Sequence, residues 1–177
     1  AAITLGKKTS GTPTYTDNII LTTAKKSTDE HPAWEKFFYY GSGSKSTIKR
    51  TTEMTDYNSK SMFTVEKDAS FTTQKIILDG GATFDATTHA YTSGEVDAHG
   101  GVINVSGSLT IDEGTTVQNS AVKIGGKQGG AVYVSRDTGT LIVSGTESNG
   151  VVFNHCRATG GGAIYTGGAG SGKDESY

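Results

Sequence analysis

Proline is almost missing from this chain, with two in 177 residues, and cysteine occurs once, at Cys156. A lone cysteine excludes an internal disulfide, so the fold must be held by packing and hydrogen bonds. Its setting, Val151-Val152-Phe153-Asn154-His155-Cys156, is that of a packed small hydrophobe rather than a reactive thiol. Long runs of helix formers are absent, which removes the helical classes. No apolar stretch approaches the roughly 20 residues that a membrane-spanning helix needs, so direct membrane insertion is not expected. Charge of one sign is lacking too. The 16 basic and 18 acidic residues leave a formal net charge of −2. Without a basic stripe interleaved with aromatics, nucleic acid is excluded as an expected partner. The chain opens on Ala1-Ala2-Ile3 with no basic, apolar leader, the start expected of a mature exported chain or of a fragment.

What the chain has in quantity is glycine, 25 residues, together with serine and threonine. Much of the glycine is organised. Gly100-Gly101-Val102-Ile103-Asn104-Val105, Gly129-Gly130-Ala131-Val132-Tyr133-Val134 and Gly161-Gly162-Ala163-Ile164-Tyr165-Thr166 are copies of one phrase, with second glycines at 101, 130 and 162, steps of 29 and 32. Such a period marks a repeat protein, in which one unit cannot bury its apolar face alone.

Each copy continues into a second and a third apolar block. After Gly101 these are Leu109-Thr110-Ile111 and Thr116 to Asn119; after Gly130, Leu141-Ile142-Val143 and Val151 to Asn154. An earlier copy reads Met62 to Val65, Phe71 to Thr73 and Ile76 to Asp79, and its step of 40 from Phe63 to Ile103 places an insertion at about 82–99. Residues two apart on a strand share a face, so Phe63/Val65, Ile103/Val105, Val132/Val134, Leu109/Ile111 and Leu141/Val143 are expected to line one interior. The pattern predicts an all-β fold, a parallel β-helix (β-solenoid) with three strands per coil. Residues 1–60 are expected to form an irregular N-terminal capping coil. It would use strands at 17–23, 36–40 and 45–50, a loop or short helical turn at 25–34, and Trp34 and Phe37 as a plug. Residues 61–166 carry the coils of the single domain, and 167–177 have the composition of a flexible tail. A stack that stops without a cap predicts self-association through its last coil.

Several residues invite a functional reading. Asp79, Asn119 and Asn154 each close a third block, and stacked coils would align them as a structural Asx ladder. The double glycines suit positive φ at a tight corner. If Ile103, Val132 and Ile164 face inward, Asn104, Tyr133 and Tyr165 face outward and form a short column suited to sugar rings or a protein partner. The insertion gathers three carboxylates and two histidines in fifteen residues. Of these, Asp85, His89, Asp97 and His99 are the candidate ligands for a metal such as calcium, although their spacing matches no metal motif. No other cofactor is expected. Paired carboxylates of the kind that cleave glycosidic bonds are not evident, and no column of Thr-Xaa-Thr suited to ice binding stands out.

The Gly-Gly-Ala-Val and Gly-Gly-Ala-Ile phrases at 129–132 and 161–164, with Phe153-Asn154, resemble the repeats of bacterial right-handed β-helix surface proteins. These include polymorphic outer membrane proteins and adhesin-like proteins of gut bacteria. The segments Ile20 to Thr22, Thr47 to Arg50, Met62 to Val65, Leu78 to Gly81 and Gly107 to Thr116 extend the likeness over about 17–166. The polymorphic proteins carry Phe-Xaa-Xaa-Asn where this chain has Phe153-Asn154-His155-Cys156, so the adhesin-like group is the better fit. The resemblance implies a right-handed helix and a secreted or cell-surface location. It also implies a non-catalytic adhesin or stalk that binds host protein or glycan. A carbohydrate-active enzyme, lyase or hydrolase, is the rival expectation, and a purely structural spacer the third, because fold alone assigns no chemistry.

Overall fold

A computed structural model of the chain describes residues 3–5, 18–22, 45–51 and 59–167. Among these the secondary structure is all strand and turn. In chain order the strands are β1 (Ile3–Leu5), β2 (Asn18–Thr22), β3 (Ser46–Lys49), β4 (Phe63–Val65), β5 (Ser70–Gln74), β6 (Ile76–Asp79), β7 (Thr83–Asp85) and β8 (Ala90–Ser93). They continue with β9 (Ile103–Val105), β10 (Ser108–Ile111), β11 (Thr116–Ala121), β12 (Val132–Val134), β13 (Thr140–Val143), β14 (Val152–Arg157) and β15 (Ile164–Thr166). β2 and β3 fall within the strands expected at 17–23 and 45–50, whereas β1 is not foreseen. The expected strand at 36–40, the loop at 25–34, Trp34, Phe37 and the tail beyond Gly167 lie outside the described residues.

Apart from β7 and β8, which form a two-stranded sheet of their own, successive strands are dealt in turn to three sheets, ordered β1-β4-β9-β12-β15, β2-β5-β10-β13 and β3-β6-β11-β14. Every pairing within them is parallel. Parallel pairing needs a crossover between neighbours, and here the crossover is made by strands of the other two sheets. Register follows the apolar phase. Phe63 pairs with Ile103, Ile103 with Val132 and Val132 with Ile164, while Phe71, Leu109 and Leu141 are aligned on the second sheet. A slip of one residue would turn each of these side chains to solvent.

The inward members form one core, including Phe63, Val65, Phe71, Leu78, Ile103, Leu109, Ile111, Val117 and Val132. Phe63 and Phe71 meet inside it with ring centroids 5.2 Å apart. Burial fades at the last strands, because no further strand pairs with β13 or β14 on their outer sides among the described residues. Leu141 is half-buried, and Val143, expected inward beside Ile111, is 47% exposed.

One inward column breaks the apolar rule. Thr73 pairs with Leu21 and Ile111, is fully buried, and its hydroxyl has no hydrogen-bond partner. A buried hydroxyl without a partner costs about 1–3 kcal/mol. Thr73→Val, which keeps the shape and removes that group, should raise stability by about 1 kcal/mol in urea unfolding. A loss of stability would show that the hydroxyl is bonded in solution.

Corners are where the glycine phrase acts. The first glycine of each pair has positive φ, 64° at Gly100, 70° at Gly129 and 59° at Gly161, as expected from the sequence. The second packs close against neighbouring chain: a Cβ on Gly101 would strike the Ser120 hydroxyl and the Gly130 carbonyl. Polar side chains stitch the same region. Buried Arg50 donates to the Lys60 carbonyl at 2.7 Å and the Gly101 carbonyl at 2.5 Å, Ser61 donates to the His99 carbonyl at 2.8 Å, and Ser120 to the Gly130 carbonyl at 2.5 Å. Within the insertion, β7 and β8 pair as an antiparallel β-hairpin.

Candidate binding surfaces

The outward tyrosine column exists. Asn104, Tyr133 and Tyr165 are register partners on β9, β12 and β15. Their inward neighbours Ile103, Val105, Val132 and Val134 are buried, and strand alternation turns the three half-exposed side chains the other way. The two phenol rings stack on one another, with centroids 5.7 Å apart and planes within 5°. His99 packs on Tyr133 at 4.6 Å. The facing surfaces of the two tyrosine rings are thus spent on each other, and the column offers outward mainly hydroxyls and ring edges. That geometry suits hydrogen bonding better than the stacking of a sugar ring.

The four candidate metal ligands stand in separate surroundings. Asp85 accepts the backbone N–H groups of Thr87 at 2.8 Å and Thr88 at 3.3 Å, which shape the hairpin turn and hold its carboxyl below the usual range. His89 takes positive φ in that turn, 52°. Asp97 is exposed. His99 accepts the Gln128 backbone N–H through Nδ1 at 3.2 Å, and partial burial, helped by the Lys127 charge, lowers its pKa. Among the described residues no three His, Cys, Asp or Glu side chains converge as a metal site would require. Asp85 and His89 belong to the β7–β8 hairpin and its turn, whereas Asp97 and His99 follow β8.

What the insertion does build is an aromatic and ionic seam against β14. Phe84 stacks on His155 at 4.3 Å and meets Tyr91 at 5.3 Å; Arg157 lies over the Tyr91 ring at 4.8 Å and forms an ion pair with Glu95. Val96, buried, continues the contact as a parallel bridge to Val122. Glu95, one of the insertion's three carboxylates, is thereby used to dock it.

The Asx column also needs correction. Asp79 aligns with Gln118 and Gln118 with Asn154, so Asn119 is one place out of line. Asn119 instead shares its place with His155, between the pairs Gln118/Asn154 and Ser120/Cys156. Both have positive φ, 52° and 48°. The reason is Val117: fully buried and aligned with Leu78 and Phe153, it fixes the phase of β11, and moving Asn119 into the column would expose it. Asp79 still acts as an anchor, accepting the Gly81 N–H at 2.8 Å and the side-chain amides of Gln118 and Asn119, each at 2.9 Å. Cys156 packs against the core, and burial pushes its thiol up to about 11. A thiol so shifted is almost wholly neutral at pH 7 and a poor nucleophile.

The second sheet presents a face that sequence reading passed over. Its outward positions align as Ser70, Ser108 and Thr140 in one column and Thr72 and Thr110 in the next. These short phrases look unremarkable one at a time, and only the register gathers them. The chain matches no known protein-family model, no curated protein and no solved structure.

Proposed function

We propose that the chain is a right-handed parallel β-helix with three strands per coil, capped by residues 1–60. We propose further that it is a non-catalytic contact module of an exported bacterial surface protein, of adhesin or stalk type, that meets host protein or glycan along its sheets. The observation that carries this reading is the register. Three parallel sheets receive successive strands in turn and repeat their outward side chains at one strand spacing, about 4.8 Å. An extended partner lying across such columns makes the same weak contact several times over, and linked weak contacts add into useful affinity.

A binding role is favoured over a lyase or hydrolase by where the acidic and imidazole groups are spent. Asp79 accepts three hydrogen bonds. Asp112 accepts from the Glu113 N–H and the Ser144 hydroxyl, each at 2.8 Å, and from the Gln74 amide at 3.4 Å. His99 is held by Gln128. The test is a glycan and host-protein binding screen on the full chain, run beside a calcium-supplemented depolymerisation assay on pectin-like polymers. Saturable binding without chain cleavage is expected. Cleavage would replace this reading with the enzyme, and silence in both assays with the spacer.

A further inference from the structure

Where the first sheet hands the chain to the second, the turns before β5, β10 and β13 line an open groove of about 380 Å³. Three successive turns supply its walls, at residues 67–70, 107–108 and 137–140. Ser70, Ser108 and Thr140 are mutual register partners, so their hydroxyls follow one another across three strands. At about 4.8 Å per strand, the groove runs across the strands for about 10 Å from the first hydroxyl to the third. Its floor is small: Ala69 and Gly107 are both buried, and a Cβ on Gly107 would collide with the Glu66 and Ala69 carbonyls.

Several carboxylates elsewhere in the fold are already engaged. Asp79, Asp85 and Asp112 spend their carboxylates on neighbouring donors. The hydroxyls of Ser70, Ser108 and Thr140 and the carboxylates of Asp68 and Asp137 have no hydrogen-bond or ion-pair partner among the described residues. Hydroxyls both donate and accept, carboxylates accept twice, and Lys67 donates. Together they match the alternating donors and acceptors of a polyol. Two carboxylates against one ammonium leave the lining negative, which disfavours uronate or sulfated chains.

We propose that this groove binds a linear saccharide of neutral or amino sugars, laid along the direction of strand stacking so that successive sugar units meet successive strands. The proposal rests on the surface-contact reading above and names its ligand class and its site, which lies apart from the tyrosine column.

Calorimetric titration of the full chain with cello-oligosaccharide, chitosan oligomer and oligogalacturonate tests it, with Ser108→Val/Thr140→Val, Asp137→Ala and Tyr165→Ala as variants. Saturable binding of the neutral or amino oligomer is expected, with oligogalacturonate at least tenfold weaker. The double variant removes two hydroxyls while keeping strand-compatible side chains, and should weaken binding about tenfold. Asp137→Ala, in an exposed turn that tolerates substitution, should weaken it about threefold or more, and Tyr165→Ala less than twofold. Unchanged affinity in both groove variants, or preference for oligogalacturonate, would overturn the proposal. Binding of a host protein but of no saccharide would overturn it and leave the surface-contact reading standing, whereas no binding to either would end both.

Discussion

Gly129→Val is expected to destabilise the protein by about 3 kcal/mol, seen as a fall of roughly 10 °C in melting temperature. Two costs combine. Gly129 has φ of 70°, a region where a β-branched side chain is strained, and an added Cβ would run into the Val132 carbonyl. That carbonyl belongs to β12, which is paired on both sides, so it has little room to retreat. Gly150 provides the control: it is exposed and a Cβ there would touch nothing within 4 Å, so Gly150→Val should stay within about 0.5 kcal/mol. Differential scanning calorimetry of the pair decides the matter. Equal melting temperatures would mean that the double-glycine corner is not a constrained element.

The second large effect comes from one column read at two depths. Leu109 and Leu141 are register partners on the second sheet, but Leu109 is fully buried and Leu141 only half-buried. Leu109→Ala should cost about 3 kcal/mol, from lost transfer energy and a cavity that flanking strands on both sides cannot close. Leu141→Ala should cost about 1 kcal/mol, since its surroundings are partly water already. Urea unfolding of both variants measures the difference. Equal losses would show that the outer side of β13 is covered in solution, as self-association through the last strands would bring about.

Much of this was legible in the chain itself. The double-glycine phrase placed β9, β12 and β15, and their alignment in the structure is the one read from sequence. The blocks after it placed β10, β11, β13 and β14, because period-two alternation and its spacing are local properties that survive in one dimension. The third column was missed by one residue because Asn119 and Asn154 look alike. Chemical likeness guided the alignment, while burial of Val117 sets the true phase.

The candidate sites were less legible, for a related reason. Tyr133 and Tyr165 could be put side by side from the repeat, yet nothing in the sequence says that their rings stack on each other. Asp85, His89, Asp97 and His99 are near in sequence, but that Asp85 accepts from the hairpin turn and His99 from Gln128 is seen only in the structure. Ser70, Ser108 and Thr140 are 38 and 32 positions apart and become one row only when strands are laid in register.

Taken alone, the residue order determined the all-β class, the repeat and the inward side of most of the repeated strands, because alternation and glycine corners act over a few bonds. The tertiary structure alone decided which polar side chains are spent on neighbours and which remain free along the groove, because that depends on contacts between residues tens of positions apart.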